Sequence, residues 1–384
     1  MTEIFFPLGI ASGDYFCNRV SETNLLVENI CRGTHTVLIA PRRYGKTSLA
    51  YRAINQAGGR ADCLNVKIDL YLATSIKDIE LSLLTGIGEL LASASNSADQ
   101  LLALAKDSFQ FFKSLRPSFE LNSSGEFSVK LLPGEKSTSA LNIQEALEVL
   151  EQVLVKKNKR AVLFIDEFQE IERIAPNAES GIEGAIRHVI QETKQLSVIF
   201  SGSHRRLLKS MFNDRNKPLY RLCDEITLAR ISEKDYLPFI KNLSVQEWGK
   251  PLSDEVITRV LNLTERHPYY VNAVCDKLFR SKALPGIPEV DQVFEEFMKR
   301  AYRERLQEAQ DLSLAQKKLL VAIANGYNKE LTGKDFLRFT ELSSASAHKA
   351  KVDLEENDFI EEVDGIYTLI DPLLALVIRK AKKI

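Results

Sequence analysis

The run Ala40-Pro41-Arg42-Arg43-Tyr44-Gly45-Lys46-Thr47-Ser48 holds the residues that point most directly to chemistry. It lies between an apolar stretch, Val37-Leu38-Ile39, and a helical pattern that opens at Ser48. A Gly-Lys-Thr in that strand–loop–helix setting is the mark of a phosphate-binding loop. Backbone N–H groups at a helix N-terminus form a concave anion site. Lys46 is placed to neutralise β/γ-phosphate charge, Thr47 to ligate Mg2+, and Gly45 to let the backbone approach phosphate. Ala40 stands where such loops start with Gly; it is the smallest alternative.

A second signal is Ala161-Val-Leu-Phe-Ile165-Asp166-Glu167, an apolar strand ending in two carboxylates. Asp166 is the expected metal-side acid, usually acting through water, and Glu167 the expected base that polarises an attacking water. A third strand, Ser197-Val-Ile-Phe-Ser201-Gly202-Ser203, ends in hydroxyls and is expected between the first two. It would bring Ser201 or Ser203 near the γ-phosphate to orient that water; the alternative is that Ser203 caps the next helix. Guanine selectivity needs an N-K-x-D loop, and neither Asn216-Lys217-Pro-Leu nor Asn328-Lys329-Glu-Leu has the Asp. By elimination the expected ligands are ATP and Mg2+.

These residues must be positioned by short buried strands. Thr36–Ala40, Leu64–Leu70, Ala161–Ile165, Val198–Ser201 and Glu225–Leu228 are brief apolar runs bounded by polar or turn residues, the pattern of strands buried on both faces of a parallel sheet. Helical periodicity fills the gaps, clearest over Ile143–Lys156, where Asn142 and Glu145 resemble a capping box. The alternation predicts an α/β domain over 1–229. Around 105–140 the rhythm breaks: residues 119–131 alternate about Ser124-Gly125, which predicts an inserted hairpin, with Pro133, Gly134 and Ser/Thr residues after it as in a surface loop; no chemistry is assigned, and a solvated loop is favoured over a partner-binding insertion. After about 230 helices take over through 310, ending in a long charged one at Val290–Gln310. Residues 311–384 read as three helices and a hairpin turned at Asp364-Gly365, a winged helix.

The chain has 384 residues, Lys+Arg 51 against Asp+Glu 52, and a formal net charge of −1. That balance excludes a globally basic nucleic-acid coat protein. No apolar run approaches the roughly 18–20 residues of a membrane span. Glu3 stands where a secretory signal carries Lys or Arg, and Cys17, Cys31, Cys63, Cys223 and Cys275 form no C-x-x-C pair. The expected compartment is a reducing cytoplasm, with the cysteines as small apolar fillers.

Together the motifs resemble the AAA-like P-loop ATPases of the archaeal-type branch of the STAND group, relatives of the origin-recognition ATPases. Phe16-Cys-Asn18-Arg19-Val-Ser-Glu22 is similar to that family's opening F-x-x-R-x-x-E, and the resemblance implies that Arg19 helps enclose the adenine. Pro41-Arg42-Arg43-Tyr44-Gly45-Lys46-Thr47-Ser48 is similar to its P-R-R-x-G-K-T-S loop, and Asp166-Glu167 to its acidic pair. Pro218-Leu-Tyr-Arg221 resembles the P-L-Y-x-R region, which implies a finger or sensor arginine at Arg221. His267-Pro268-Tyr269-Tyr270 resembles the lid segment whose Pro packs near the adenine, with Arg266 where the family has Gly. Residues 354–371 resemble its terminal winged helix. The family implies a sheet ordered 5-1-4-3-2, a helical lid (here 230–310), and nucleotide at the carboxyl ends of the strands, where open α/β sheets bind ligands.

Arg42 and Arg43 lie inside the loop and can meet phosphate, the lid or a neighbouring subunit; Arg205 and Arg206 are further finger candidates behind Arg221. The winged helix carries 11 Lys/Arg and 11 Asp/Glu over 313–384. Phosphate neutralisation dominates DNA affinity, so this neutral module is at best a weak DNA reader and a protein partner is expected. The resulting expectation is a slow ATPase acting as a regulatory switch. The alternative is a DNA-binding regulator or mobile-element accessory factor holding ATP as a structural ligand. Assembly into a homo-oligomer with ATP bound is compatible with either.

Overall fold

A computed structural model describes residues 5–59, 63–95, 114–121, 127–134 and 137–380. They form two compact units. One comprises Arg19–Ala40 and Lys46–Leu228; the other takes in Pro41–Gly45, the chain before Arg19 and the chain after Leu228.

The first unit is built on a five-stranded parallel sheet. Its strands are β1 (Thr36–Ile39), β2 (Cys63–Asp69), β5 (Arg160–Asp166), β6 (Leu196–Gly202) and β7 (Asp224–Thr227), in the order β2-β5-β6-β1-β7. Numbered as core strands, this is the expected 5-1-4-3-2. The third hydroxyl-ended strand lies between the loop strand and the acidic strand, as expected. All residues of β1 and β6 are buried, in keeping with the apolar stretches Val37–Ile39 and Val198–Phe200 at their centres. Register pairs Asp69 with Asp166 and Ile39 with Gly202, so the ends of these strands converge. The helices Ile76–Ala94, Ser139–Lys157 and Ile182–Ile190 share a hydrophobic core with the sheet that includes Leu83, Ile87, Leu150 and Ile186.

Two expectations are corrected here. Thr138, not Asn142, caps the helix Ser139–Lys157, its side chain accepting from the N–H of Leu141. Asn142 is buried inside that helix and donates to Glu80 (2.6 Å), while Glu145 accepts from the N–H and hydroxyl of Ser114 (2.9 and 2.5 Å). The Asn-x-x-Glu pattern therefore marks buried polar pairs rather than a helix start. Second, the inserted hairpin forms as expected, β3 (Leu115–Leu121)–β4 (Phe127–Pro133), but it packs on the sheet unit instead of standing in solvent. Leu115, Val129 and Leu131 are buried in the sheet unit's core. Gly88 permits close approach: a Cβ there would lie 2.3 Å from the Val129 carbonyl oxygen. The turn at Ser124-Gly125 lies outside the described residues, as does the start of the insertion at 105–113.

The second unit has two cores. One joins the helices Glu233–Trp248, Asp254–Leu263, Pro268–Leu278 and Ile287–Gln310, with Phe5 and Phe6 packed on Phe279. Ser232 and Ser253 cap the first two of these helices. The other core is the winged helix: Leu314–Ala324, Lys334–Thr340, Ser344–Glu356 and the hairpin β8 (Ile360–Val363)–β9 (Ile366–Leu369). Asp364 (φ 53°) and Gly365 (φ 77°) both take the left-handed conformation that a two-residue type I′ turn requires. A further helix, Pro372–Lys380, was not expected from the sequence. Its Leu373 and Val377 enter the first core and its Leu374 and Ile378 the second, a stripe for each at helical spacing. Among the described residues no helix is long and apolar enough to cross a membrane.

Candidate functional site

In the sheet unit, the ends of β1, β5 and β6 bring Lys46, Thr47, Asp166, Glu167 and Ser203 together. Lys46 starts the helix Lys46–Gly58 and is buried; its ammonium donates back to the Ala40 carbonyl (3.1 Å). Ala40 is not among the residues with positive φ, so the glycine usual at that position is not required here. Gly45, at φ 88°, does need its conformational freedom. The Thr47 hydroxyl donates to Asp166 Oδ2 at 3.3 Å, joining the loop helix to the acidic strand.

Asp166 is buried yet heavily compensated. Its Oδ1 accepts from the Ser201 hydroxyl and from the N–H of Glu167 (3.2 Å). Its Oδ2 receives Thr47 and the Lys67 ammonium (2.9 Å). Burial works against its charge, but the Ser201 hydrogen bond, Lys67 and Lys46 hold its carboxyl below the usual range. The aspartate therefore presents an ionised oxygen beside a threonine hydroxyl. That pair of hard oxygen donors suits Mg2+, with nucleotide and water oxygens completing an octahedron.

Glu167 adopts a left-handed backbone (φ 53°), a costly conformation for a non-glycine residue that here turns its side chain under local control. Its Oε2 accepts from the Ser203 N–H (3.1 Å), the Ser203 hydroxyl (2.8 Å) and Gln169 (2.6 Å). Oε1 accepts no hydrogen bond from the described residues. One oxygen is thus held by three donors, while the other is not. The N-cap position of the following helix is His204, which makes no side-chain cap bond. Lys67, Ser201 and Gln169 complete the cluster. Ser201 was one of two hydroxyls expected here; Lys67 and Gln169 carried no motif. The i, i+2 alternation of β2 and its register with β5 were the signal for Lys67, readable only once the pairing is known.

The remaining candidates lie elsewhere. Arg221 is exposed, with a left-handed backbone (φ 52°), and its guanidinium faces the Tyr220 ring at 5.3 Å; no hydrogen bond of the carboxylate cluster involves it. Arg19, left-handed at φ 60°, precedes the helix Val20–Arg32; its side chain pairs with Glu22 (3.1 Å) and its carbonyl accepts from the Thr23 hydroxyl (2.5 Å). Ser48 is buried in the loop helix.

In the second unit, Pro41 and Tyr44 are buried, while Arg42 and Arg43 are exposed. Arg43 places its guanidinium 4.2 Å from the centre of the Tyr269 ring. The Tyr44 hydroxyl accepts from Arg230 (3.2 Å), and its ring meets His267 edge-on at 4.9 Å. Arg230 also donates to the Glu265 carbonyl and carboxylate (both 2.9 Å) and to the Ile370 carbonyl (3.3 Å). Pro268 begins the helix Pro268–Leu278, where its missing N–H is harmless. Arg266, where the family has Gly, takes φ 58°, the conformation glycine favours. Burial first, then the charges of Arg230, Arg43 and Arg305, push the His267 imidazole down to about 3, so the ring is neutral at physiological pH.

The chain matches the family model of an AAA domain over residues 31–211 and that of a probable winged helix domain over 301–380. It therefore carries an AAA-type P-loop domain followed by a winged helix. Among solved structures, the Walker-type ATPase PABY2304 of Pyrococcus abyssi is similar at 18% identity and a TM-score of 0.66, over 98% of this chain and 99% of that one. The ORC2 protein of Aeropyrum pernix, in its ADPNP–ADP complexes, is similar at 12% identity and a TM-score of 0.58, over 98% and 96%. At these identities the likeness is one of fold. No curated protein matches the chain.

Proposed function

We propose that the chain binds and slowly hydrolyses ATP, and that it works as a switch whose nucleotide state is read by a protein partner. The observation that carries the reading is the Thr47–Asp166 hydrogen bond, with Lys46 on one side and the immobilised Glu167 on the other. Lys46 neutralises the phosphates, and the loop 41–48 cradles them. Thr47 and Asp166 hold Mg2+, which when bound supplies charge neutralisation to the transferring phosphoryl group. Glu167 accepts the proton of the attacking water through Oε1, and Ser203 fixes that carboxylate rather than the water itself. On the family resemblance Arg19 is assigned to the adenine. Arg221, being exposed, serves as a finger only toward a neighbouring copy in a homo-oligomer. The functional division follows as a P-loop domain at 1–229, a helical lid at 230–310 and a winged helix at 311–384, acting in the cytoplasm.

The switch is supported by Arg230, which bonds both Tyr44 of the phosphate loop and Ile370 at the end of the wing. A protein partner is favoured over DNA. Lys351, one of two lysines on the helix Ser344–Glu356, is occupied by Glu355 (3.7 Å), Glu362 (4.0 Å) and the Tyr367 ring, which leaves little charge for phosphates. Calorimetry and phosphate release test the reading together. Lys46→Ala is expected to abolish ATP binding, and Glu167→Gln to keep binding while stopping turnover. Unchanged affinity in the first variant, or persistent turnover in the second, overturns the assignment.

A further inference from the structure

Lys67 stands inside the candidate metal site although no motif places it there. It lies on β2, two residues before Asp69, on the same face of the sheet as Phe164 and Asp166 of β5. Asp69 and Asp166 are in register across the strand pair. The Lys67 ammonium sits 2.9 Å from Asp166 Oδ2 and 3.2 Å from Asp69 Oδ2. Asp166 Oδ1 is already committed to Ser201 and the Glu167 N–H, so Oδ2 is the oxygen that faces Thr47. A divalent cation held by Thr47 and Asp166, directly or through water, needs the lone pairs of that same oxygen. An ammonium and a dication cannot share it without strong repulsion. The two seats of Lys67 also differ: the Asp166 side chain is 9% exposed and that of Asp69 50%, so the second seat lies nearer water.

We propose that Lys67 is a built-in competitor for the metal: it neutralises Asp166 in the metal-free protein and shifts onto Asp69 when Mg2+-nucleotide is bound. Metal loading would then be a displacement, and the empty site would not carry a buried unpaired carboxylate, a costly arrangement. The inference rests on the nucleotide-site reading above. Lys67 is a positioning residue here, since it acts through Asp166.

The test is Mn2+ binding followed by electron paramagnetic resonance with the full chain and a non-hydrolysable ATP analogue, beside calorimetry of the same analogue in EDTA. Lys67→Met and Lys67→Gln are each expected to tighten Mn2+ binding about tenfold, the scale on which one nearby charge shifts an ionic equilibrium. Analogue affinity in EDTA should change little. Asp69→Asn should weaken Mn2+ binding in the wild-type background and have no such effect beside Lys67→Met, a double-mutant signature of one lysine moving between two acids. Mn2+ affinity that is unchanged or weaker in both Lys67 variants, with normal melting curves, overturns the proposal and makes Lys67 a permanent part of the site. A wild-type chain that binds no analogue under any condition refutes the nucleotide-site reading instead, a distinct result.

Discussion

Glu183 lies in the first turn of the helix Ile182–Ile190, in the sheet unit, with its carboxyl fully enclosed. Among the described residues neither of its oxygens has a hydrogen-bond partner. Burial first, and then the like charge of Glu172, push its pKa from 4.5 to about 7, against the attraction of Lys217. Lys217 is itself ion-paired with Glu172 and cannot give Glu183 full compensation. The folded chain therefore holds this proton where the unfolded chain has released it. Below pH 4.5 both states are protonated and the group adds no pH-dependent term. Between 4.5 and about 7 the unfolded state binds fewer protons, so stability falls as pH rises. Above the folded pKa the whole penalty is present, about 3 kcal/mol for a shift of this size. Glu183→Gln keeps the shape and removes the ionisation. The variant should match the wild type near pH 4.5 and exceed it by about 3 kcal/mol at pH 8.5, read by urea denaturation followed by far-UV circular dichroism. A stability difference that stays constant across this window, or one that shrinks as pH rises, shows that Glu183 does not titrate as its surroundings dictate.

Two further substitutions follow from the same geometry. Ser203→Ala removes one of three donors to Glu167 Oε2 while its N–H stays, so kcat should fall about tenfold with KM little changed; an equal loss in Gln169→Ala would support the fixing role, and a pure KM effect in either would contradict it. Gly88→Ala improves helix propensity by about 1 kcal/mol but drives a Cβ toward the Val129 carbonyl, so a net loss of about 2 kcal/mol or more is expected in thermal melts; a stabilised variant would mean that the hairpin β3–β4 does not sit on its helix as described.

The parts of the site legible in the sequence are those in which chemistry and local structure coincide. Gly45-Lys46-Thr47 between a buried strand and a helix, and Asp166-Glu167 at the end of another, can each be read from a dozen residues. So can Asp364-Gly365, because a two-residue turn dictates its own residues. Lys67 was illegible because its meaning depends on the pairing of β2 with β5, a contact across nearly a hundred residues. Ser203 was placed correctly at the strand end, but its partner was not foreseen, since the left-handed turn at Glu167 brings that carboxylate back onto the hydroxyl. Asn142 and Glu145 misled because a cap and a pair of buried polar contacts use the same residue types. The helix Pro372–Lys380 was missed although Asp371-Pro372 is a helix-start signal, with Asp371 accepting from the Leu373 N–H at 2.8 Å. Its alternating stripes serve two cores, so neither stripe alone reads as an amphipathic face.

Arg230 gives the switch reading its physical content. Its guanidinium is partly buried and satisfies four acceptors: the Tyr44 hydroxyl, the Glu265 carbonyl and carboxylate, and the Ile370 carbonyl. A planar fork with fixed donor directions cannot follow one partner without straining its bonds to the others. Tyr44 lies one residue before Gly45, whose left-handed backbone shapes the phosphate loop. Ile370 precedes Asp371, which pairs with Arg305 (2.8 Å) and accepts from the Tyr270 hydroxyl (2.8 and 2.9 Å) just before the last helix begins. A loop that tightens around phosphate must therefore either carry Arg230 with it or release it. Both outcomes change the support beneath Ile370. On the switch reading proposed above, Arg230 is the group through which a bound phosphate would be felt beneath Ile370, and it does so through side chains rather than through a hinge.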